Sequence, residues 1–539
     1  MLILLISLLV LVPVIWGYGA ALSKLLGTEN CSSFQLISGL AAVTIAWTIT
    51  AFFLPLSFAV ELLTVAGGLI LFVRAFLIEK LHDFKVSSGF FLAALPVIFF
   101  STFPPFILDH FGYFVPTIKW LSEFGIVRGI SNLDLILGQT SLWHVAQAGF
   151  SHFTDPYLRL NSVVLLIYLL FIFERKSWIH LFFIPFLLFF VQSPTADLPV
   201  IVISLMILDE IFRTHPNFRI LTLLSVFVFT LKPTVIWVPL LVLIYGLLHH
   251  KSWKFWIPAS VILLIFIIKN LWTFGYPVFP VQFPDMGINW QPNQQILNTS
   301  AQLAAEKTFD EHFTFKTIKQ FTPLDWFKNW LTIPGIKGII NILFLLTLIT
   351  SIVFAFLKKK KIITITVISI LVKSIMILWF SAQYRFFMEV FFAVAFLIFS
   401  AKVSRKISIG FYSSLIAVLV VFFVTPGLFT KVTPSFRVGQ FIGKFCFNQF
   451  LEPQEYRYNQ YGSYNIGALN FNVVQDYPFS FTTPLPAISP SFLLEYYDAG
   501  IFPQPYSADI SDGFYWQNLT DHEKKQLGEI IRELKLRTD

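Results

Sequence analysis

Five ionisable side chains stand at the edges of apolar stretches, and their types suit proton and phosphate chemistry. Asp109 directly follows an apolar run in FILDHFGYF, Asp197 opens another in SPTADLPVIV, and Lys232 lies between two in FTLKPTVIW. Lys269, with Asn270 beside it, ends a run before GYPVFP, and Arg385 begins one in WFSAQYRFF. An ionisable group at membrane depth costs roughly 2.5–3.5 kcal/mol on insertion scales, so it faces a cavity or pairs with another charge. Five such positions predict one pocket that holds both signs of charge. A poorly solvated carboxylate there has a raised proton affinity and can act as a general base. Arg can hold a phosphate in bidentate fashion, and cations aimed at developing negative charge are the largest expected catalytic contribution. Plainer roles compete. Lys232 and Lys269 can snorkel to the boundary, Asp197 can cap its helix, and Asp109 can cap the helix that follows it.

The elements that must carry these groups are transmembrane helices. Of 539 residues, 56% are hydrophobic and 18% aromatic, with Phe alone occurring 64 times. Only 13% are charged, about half the roughly 25% of a soluble domain. Such a composition excludes disorder and a compact secreted domain, and predicts an all-α polytopic membrane protein. Fourteen apolar stretches are candidate spans, starting near residues 2, 34, 57, 88, 158, 178, 195, 218, 233, 254, 338, 362, 384 and 407. Residues 1–425 thus form a multi-span domain, interrupted by polar loops at 109–157 and 273–337. Residues 426–539 have many Pro, Tyr and Asp and no span, so they predict a small C-terminal soluble domain. No internal repeat is visible. Cys31 and Cys446 give no metal spacing and no disulfide framework. The N-terminus lacks a basic leader region and reads as a retained helix.

The net charge is +8, but the Lys and Arg sit in short clusters between apolar runs. No basic, aromatic-interleaved stripe of the kind nucleic acid needs is present. The clusters are EKLHDFK (79–85), ERK (174–176), RTHPNFR (213–219), HHKSWK (249–254), KKKK (358–361) and KVSRK (402–406). With fourteen spans all six fall on one side, which the positive-inside rule makes cytoplasmic. Both termini, both long loops and the tail then lie outside, in the periplasm of a bacterium.

The stretch DHFGYFVPTIKWLSEFGIVRGISNLDLILGQTSLWH (109–144) resembles the first large external loop of a bacterial branch of the GT-C superfamily of glycosyltransferases. The matching residues are Asp109, Tyr113, Lys119, Trp120, Gly129, Asn132, Leu133 and Ser141. The Lys-Asn…Gly-Tyr-Pro…Pro element at 269–280 is similar to the family's Arg-Asn…Gly-Tyr-Pro…Pro, with Lys in place of Arg. Ala-x-x-Arg-Phe (382–386) is similar to its late external Arg-Phe element. The family's Asn-Ser-Ser is Gln-Thr-Ser here (139–141). The likeness runs as ordered islands from about residue 90 to about residue 400. It implies an integral membrane glycosyltransferase of the bacterial inner membrane. The donor would be a sugar on a polyprenyl phosphate, and the acceptor a glycan, lipid or protein at the periplasmic face. Asp109 then stands where the family's catalytic acidic residue stands. Arg385, Lys232 and Lys269 are the candidates for the donor phosphate, and Tyr113, His144, Asp197, Asn270 and Tyr276 for the remaining substrate contacts.

Other residues point less sharply. No cofactor is called for, although His110, His144 and His152, in one loop with Asp109 and Asp134, could hold a divalent cation. Their spacings match no standard ligand motif. His144 also suits packing on a short amphipathic helix, LWHVAQAGF. Tyr456, Tyr458, Tyr461 and Tyr464 could stack on sugar or pack a domain core. A flippase or transporter of lipid-linked saccharide is an alternative, disfavoured because the charges gather near one face, with Arg74 and Lys373 as exceptions. A glycan ligase or polymerase would share the same membrane face.

Overall fold

The structure is a computed structural model and describes residues 1–28, 30–78, 87–425, 427 and 445–536. The cluster at 79–85 and the start of the tail lie outside the described residues. The chain is mostly helical. Leu2–Leu26 (α1), Ser32–Thr50 (α2), Phe58–Ile78 (α3) and Ser88–Phe100 (α4) come first. Val115–Glu123 (α5) and Leu142–Gly149 (α6) lie within the first loop, followed by Leu160–Arg175 (α7), Ile184–Leu187 (α8), Asp197–Ile211 (α9), Phe218–Leu231 (α10), Trp237–Leu248 (α11) and Ile257–Phe274 (α12). The second loop holds Gln294–Thr308 (α13), Phe315–Ile318 (α14) and Pro323–Leu331 (α15). Ile336–Lys358 (α16), Lys361–Phe380 (α17), Met388–Phe399 (α18) and Arg405–Val424 (α19) complete the bundle.

Among the described residues seven helices are long and apolar enough to cross a membrane: α1, α2, α3, α12, α16, α17 and α19. Their outward faces are apolar: Leu9, Leu63, Leu357 and Trp379 are all at least 74% exposed. Water would not tolerate such faces, and lipid would. The other apolar stretches are helical but shorter than a span. The run from 178 is not one helix at all. It breaks into a 3₁₀ turn at Trp178–Phe182, the single turn α8 with Pro185 in its first turn, and another 3₁₀ turn at Leu188–Phe190.

Close approach of α1, α2 and α3 depends on glycine. A Cβ on Gly39 would lie 1.8 Å from the Ile15 carbonyl oxygen, and one on Gly19 would lie 1.9 Å from that of Gln35. Small residues at such a crossing let the backbones touch where no hydrophobic force acts between helices in lipid. Helix α9 is the centre of the bundle. It touches α7, α10 and α18, and every residue from Leu198 to Ile211 is buried, as expected of a helix apolar on all sides.

The tail adds two antiparallel hairpins, Tyr461–Ile466 (β1) with Leu469–Val474 (β2), and Ile501–Pro505 (β3) with Phe514–Asn518 (β4), plus helices Pro490–Ala499 (α20) and Asp521–Glu533 (α21). It does not keep its core to itself. Phe471, Phe502, Phe514 and Leu527 bury with Trp120, Val127 and Leu133 of the first loop and with Tyr276 and Ile296 of the second. The Phe514 N–H donates to Arg128 O at 2.9 Å, and the Tyr496 hydroxyl donates to Asn132 O at 3.0 Å. The Arg128 guanidinium lies 4.1 Å from the Tyr506 ring centroid and 5.5 Å from that of Trp290. Of the clustered tyrosines, Tyr456 and Tyr458 pack on Phe481, and Tyr464 packs on Phe471.

Two carboxyls sit in this seam. Asp134 accepts from the Ser489 hydroxyl at 2.8 Å, and burial pushes its carboxyl up to about 7. Burial, with the Asp134 charge nearby, also pushes Glu495 up to about 7. A carboxyl that titrates near 4 in the unfolded chain and near 7 in the fold takes up a proton on folding between those values. The seam therefore weakens as pH rises from about 4 to about 7 and changes little above that.

Two predictions follow from these contacts. Gly39→Ala lowers the thermal midpoint in detergent, by an overpacking cost on the order of 1–3 kcal/mol, whereas Gly410→Ala, with nothing within 4 Å, does not. Asp134→Asn flattens the decline in tail stability between about pH 4 and pH 7 and slows proteolysis of the tail at pH 8; an unchanged slope would remove Asp134 as its source.

Candidate functional site

Four of the five boundary charges meet. After α4 the chain is irregular through Pro104 and Pro105, and Asp109 lies in the first turn of a helix that is π-helical at His110–Phe114 before it continues as α5. Asp197 stands in the first turn of α9, where the Thr195 hydroxyl donates to it at 3.0 Å. Lys232 falls where Pro233 stops α10, and its own backbone is extended (φ −154°, ψ 105°). Arg385 sits on a 3₁₀ turn, Tyr384–Phe386, between α17 and α18.

Their side chains form two ion pairs around one ring. Arg385 Nη1 lies 3.2 Å from Asp109 Oδ2, and Lys232 Nζ is paired with Asp197 Oδ1. The Phe386 ring centroid is 5.1 Å from Lys232 Nζ and 5.1 Å from the Arg385 guanidinium carbon. The pairs differ in setting. Asp109 and Arg385 are 40% and 45% exposed, while Asp197 and Lys232 are 23% and 15% exposed. Asp109 thus lies in the more open of the two ion pairs. Tyr113, one turn after Asp109, feels the charges of Asp109, Arg385 and Asp197, and its hydroxyl meets the Gln139 side chain.

His144 lies behind Tyr113, 1% exposed, with the two ring centroids 5.8 Å apart and neither imidazole nitrogen hydrogen-bonded. Lys269 does not join the cluster. It is fully buried and donates to Thr140 O at 2.6 Å. Together with the Ser141 hydroxyl, which donates to Leu231 O at 2.6 Å, it fixes the 139–141 segment against the residue before Lys232. Asn270 donates to Pro277 O at 2.7 Å and holds the turn where Gly275 ends α12 with φ 83°. Tyr276 packs on Phe274 in the seam with the tail. The structure therefore brings Asp109, Tyr113, Asp197, Lys232 and Arg385 together, sets His144 behind them, and places Lys269, Asn270 and Tyr276 outside the cluster.

The histidines of the first loop do not converge. His110 Nδ1 is 2.9 Å from the Ser193 hydroxyl, and His152 Nε2 is 2.8 Å from Leu56 O. Asp134 is engaged by Ser489 in the seam. Among the described residues no group of three or more His, Cys, Asp and Glu could hold a metal ion. Two neighbours escaped the sequence reading. Gln139 stands in the Gln-Thr-Ser triplet but carries no charge to mark it. Glu389 lies four residues after Arg385, a spacing that suggests a pair on one helix face; it is instead paired with Lys373.

In chemical terms the cluster offers an accessible carboxylate able to accept a proton and two cations able to meet an anion. Each cation is already paired, so an incoming anion must displace Asp109 from Arg385 or share the Lys232 ammonium with Asp197. An exposed pair yields at little cost, with typical coupling below about 1 kcal/mol. A double-mutant cycle on unfolding in detergent should give a larger coupling for Asp197–Lys232 than for Asp109–Arg385; the reverse order would contradict the exposures.

A family model described as "Domain of unknown function (DUF8201)" matches residues 1–392, a stretch that holds the whole cluster. No curated protein and no solved structure matches the chain. With the match covering most of its length, the chain belongs to the DUF8201 family.

Proposed function

We propose that the protein is an integral membrane glycosyltransferase of GT-C type, which transfers a sugar from a polyprenyl-phosphate donor to an acceptor outside the cytoplasm. The observation that carries the reading is the meeting of Asp109, Asp197, Lys232 and Arg385, from four separate segments, around Phe386. A transferase using a lipid phosphate needs a base and a cationic phosphate site at one membrane boundary, and this set supplies both.

The orientation has its own support. Helix α9 carries Asp197 at its first turn and Asp209 and Glu210 at its last. At that far end Arg213 lies 2.6 Å from Asp209, and Arg175 lies 3.0 Å from Glu210. Fifteen residues at 1.5 Å each separate the two ends by about 22 Å. The basic ERK and RTHPNFR clusters thus lie across the bundle from the candidate site. The positive-inside rule then makes the basic end cytoplasmic and turns the site toward the periplasm of a bacterial inner membrane.

In the reaction the acceptor hydroxyl oxygen attacks the anomeric carbon, and the bond from that carbon to the phosphate oxygen breaks. The electron pair leaves with the phosphate, and the hydroxyl proton passes to Asp109. The donor phosphate draws Arg385 away from Asp109, so donor binding also frees the base. Lys232 lies across Phe386, where it can meet a second phosphate oxygen. Inversion at the anomeric carbon is expected of this single displacement.

Purified protein in lipid, supplied with radiolabelled polyprenyl-phosphate sugars and cell-envelope acceptors, should yield a labelled product. Asp109→Asn should lower transfer by about 10²–10⁴-fold, the usual share of a general base, without loss of membrane insertion; normal activity would remove the base. Arg385→Ala should raise the KM for donor more than that for acceptor, and equal rises would count against a phosphate contact.

A further inference from the structure

Arg385 owes its placement to a short turn, and that turn is held from below by a buried ion pair the reaction does not use. Lys373 lies inside α17, and its side chain is 1% exposed. Its ammonium donates to Phe386 O at 2.7 Å and is paired with Glu389, itself 6% exposed in the first turn of α18. One cation therefore grips the last residue of the Tyr384–Phe386 turn and the helix that follows. The other end of the segment is fixed as well: Trp330 Nε1 donates to Ala382 O at 2.9 Å. Between these anchors Tyr384 and Arg385 are exposed, and Arg385 is turned toward Asp109. The residue it grips, Phe386, is the one whose ring lies between Lys232 and Arg385, so the pair is tied directly to the cluster.

Stability alone does not account for such a pair. Desolvating two ions costs several kcal/mol each, and an apolar pair of similar volume often packs as well. A directional grip on a carbonyl is what an apolar pair cannot supply. We infer that Lys373 and Glu389 are positioning residues that hold the Tyr384–Phe386 turn so that Arg385 meets the donor phosphate beside Asp109. This rests on the reading of Arg385 as a phosphate contact.

Because a lone Lys373→Met leaves Glu389 buried without a partner, the main test is the double variant Lys373→Met/Glu389→Gln, which removes both charges. Two readouts are taken on full-length protein in detergent: hydrogen exchange of the peptide spanning 382–388, and the binding preference for a short-chain polyprenyl phosphate over the matching polyprenol. The double variant is expected to melt cooperatively, to exchange faster at 384–387, and to lose phosphate preference about ten-fold, the effect of one charge-assisted contact. Arg385→Ala should lose the same preference, and adding it to the double variant should cost nothing more, since both act through one guanidinium. An intact preference in the double variant, an equal fall for phosphate and polyprenol, or additive losses would overturn the inference. If Arg385→Ala itself leaves the preference intact, the phosphate reading falls. Positioning is then judged by exchange alone, and unchanged exchange at 384–387 overturns it too.

Discussion

A charge at the edge of a hydrocarbon layer has to find its opposite, and much of this architecture follows from that constraint. Asp197 at the start of α9, Lys232 at the end of α10 and Arg385 between α17 and α18 are each costly alone. Paired with one another and with Asp109, they draw the ends of otherwise separate helices to one place. The same rule acts at the far end of α9, where Asp209 and Glu210 meet Arg213 and Arg175. Within the bundle, apolar packing is nearly indifferent to which helix lies beside which, because lipid tails solvate Leu and Phe as well as a neighbour does. Charge pairing and glycine contacts supply the discrimination that apolar surface cannot.

The open and the sheltered pair are suited to different tasks. Asp197 and Lys232 are mostly buried, and an ion pair in that setting resists separation, because opening it leaves a poorly solvated charge behind. Asp109 and Arg385 are more exposed, and an exposed pair is the cheaper one to open. A static cation thus stands beside an exchangeable one, with Phe386 as the shared floor. Under the proposed function, the exchangeable pair is where donor and base would be coupled. The gripping pair beneath, Lys373 with Glu389, keeps the exchangeable cation from wandering while it remains exposed.

The helical character and the position of most segments were legible in the sequence, because hydropathy acts locally. The run at 178–190 was not: its apolar composition is continuous while its backbone is broken into three short turns. The number of full spans was not legible from apolar stretches alone, since α9, α10, α11 and α18 are shorter than the length a full span needs. At the site, boundary charges pointed to Asp109, Asp197, Lys232 and Arg385 because a charge beside an apolar run is conspicuous. Lys269 was conspicuous for the same reason, yet its partner is a backbone carbonyl, which no side-chain pattern announces. Glu389 was missed because its partner lies on another helix. Gly129, Asn132 and Leu133, part of the family resemblance, belong to the seam with the tail, where Asn132 Nδ2 donates to Trp290 O at 2.9 Å.

That seam has a consequence for biogenesis. The Asn132 amide also contacts Phe514 O, a partner 382 residues away. At about 5–20 residues per second the ribosome needs roughly 20–75 s to deliver it. Until then Trp120, Val127 and Leu133 have left the translocon with no β4 or α21 to cover them. The seam must therefore assemble late, and for most of synthesis its aromatic half-core is a surface without its cover.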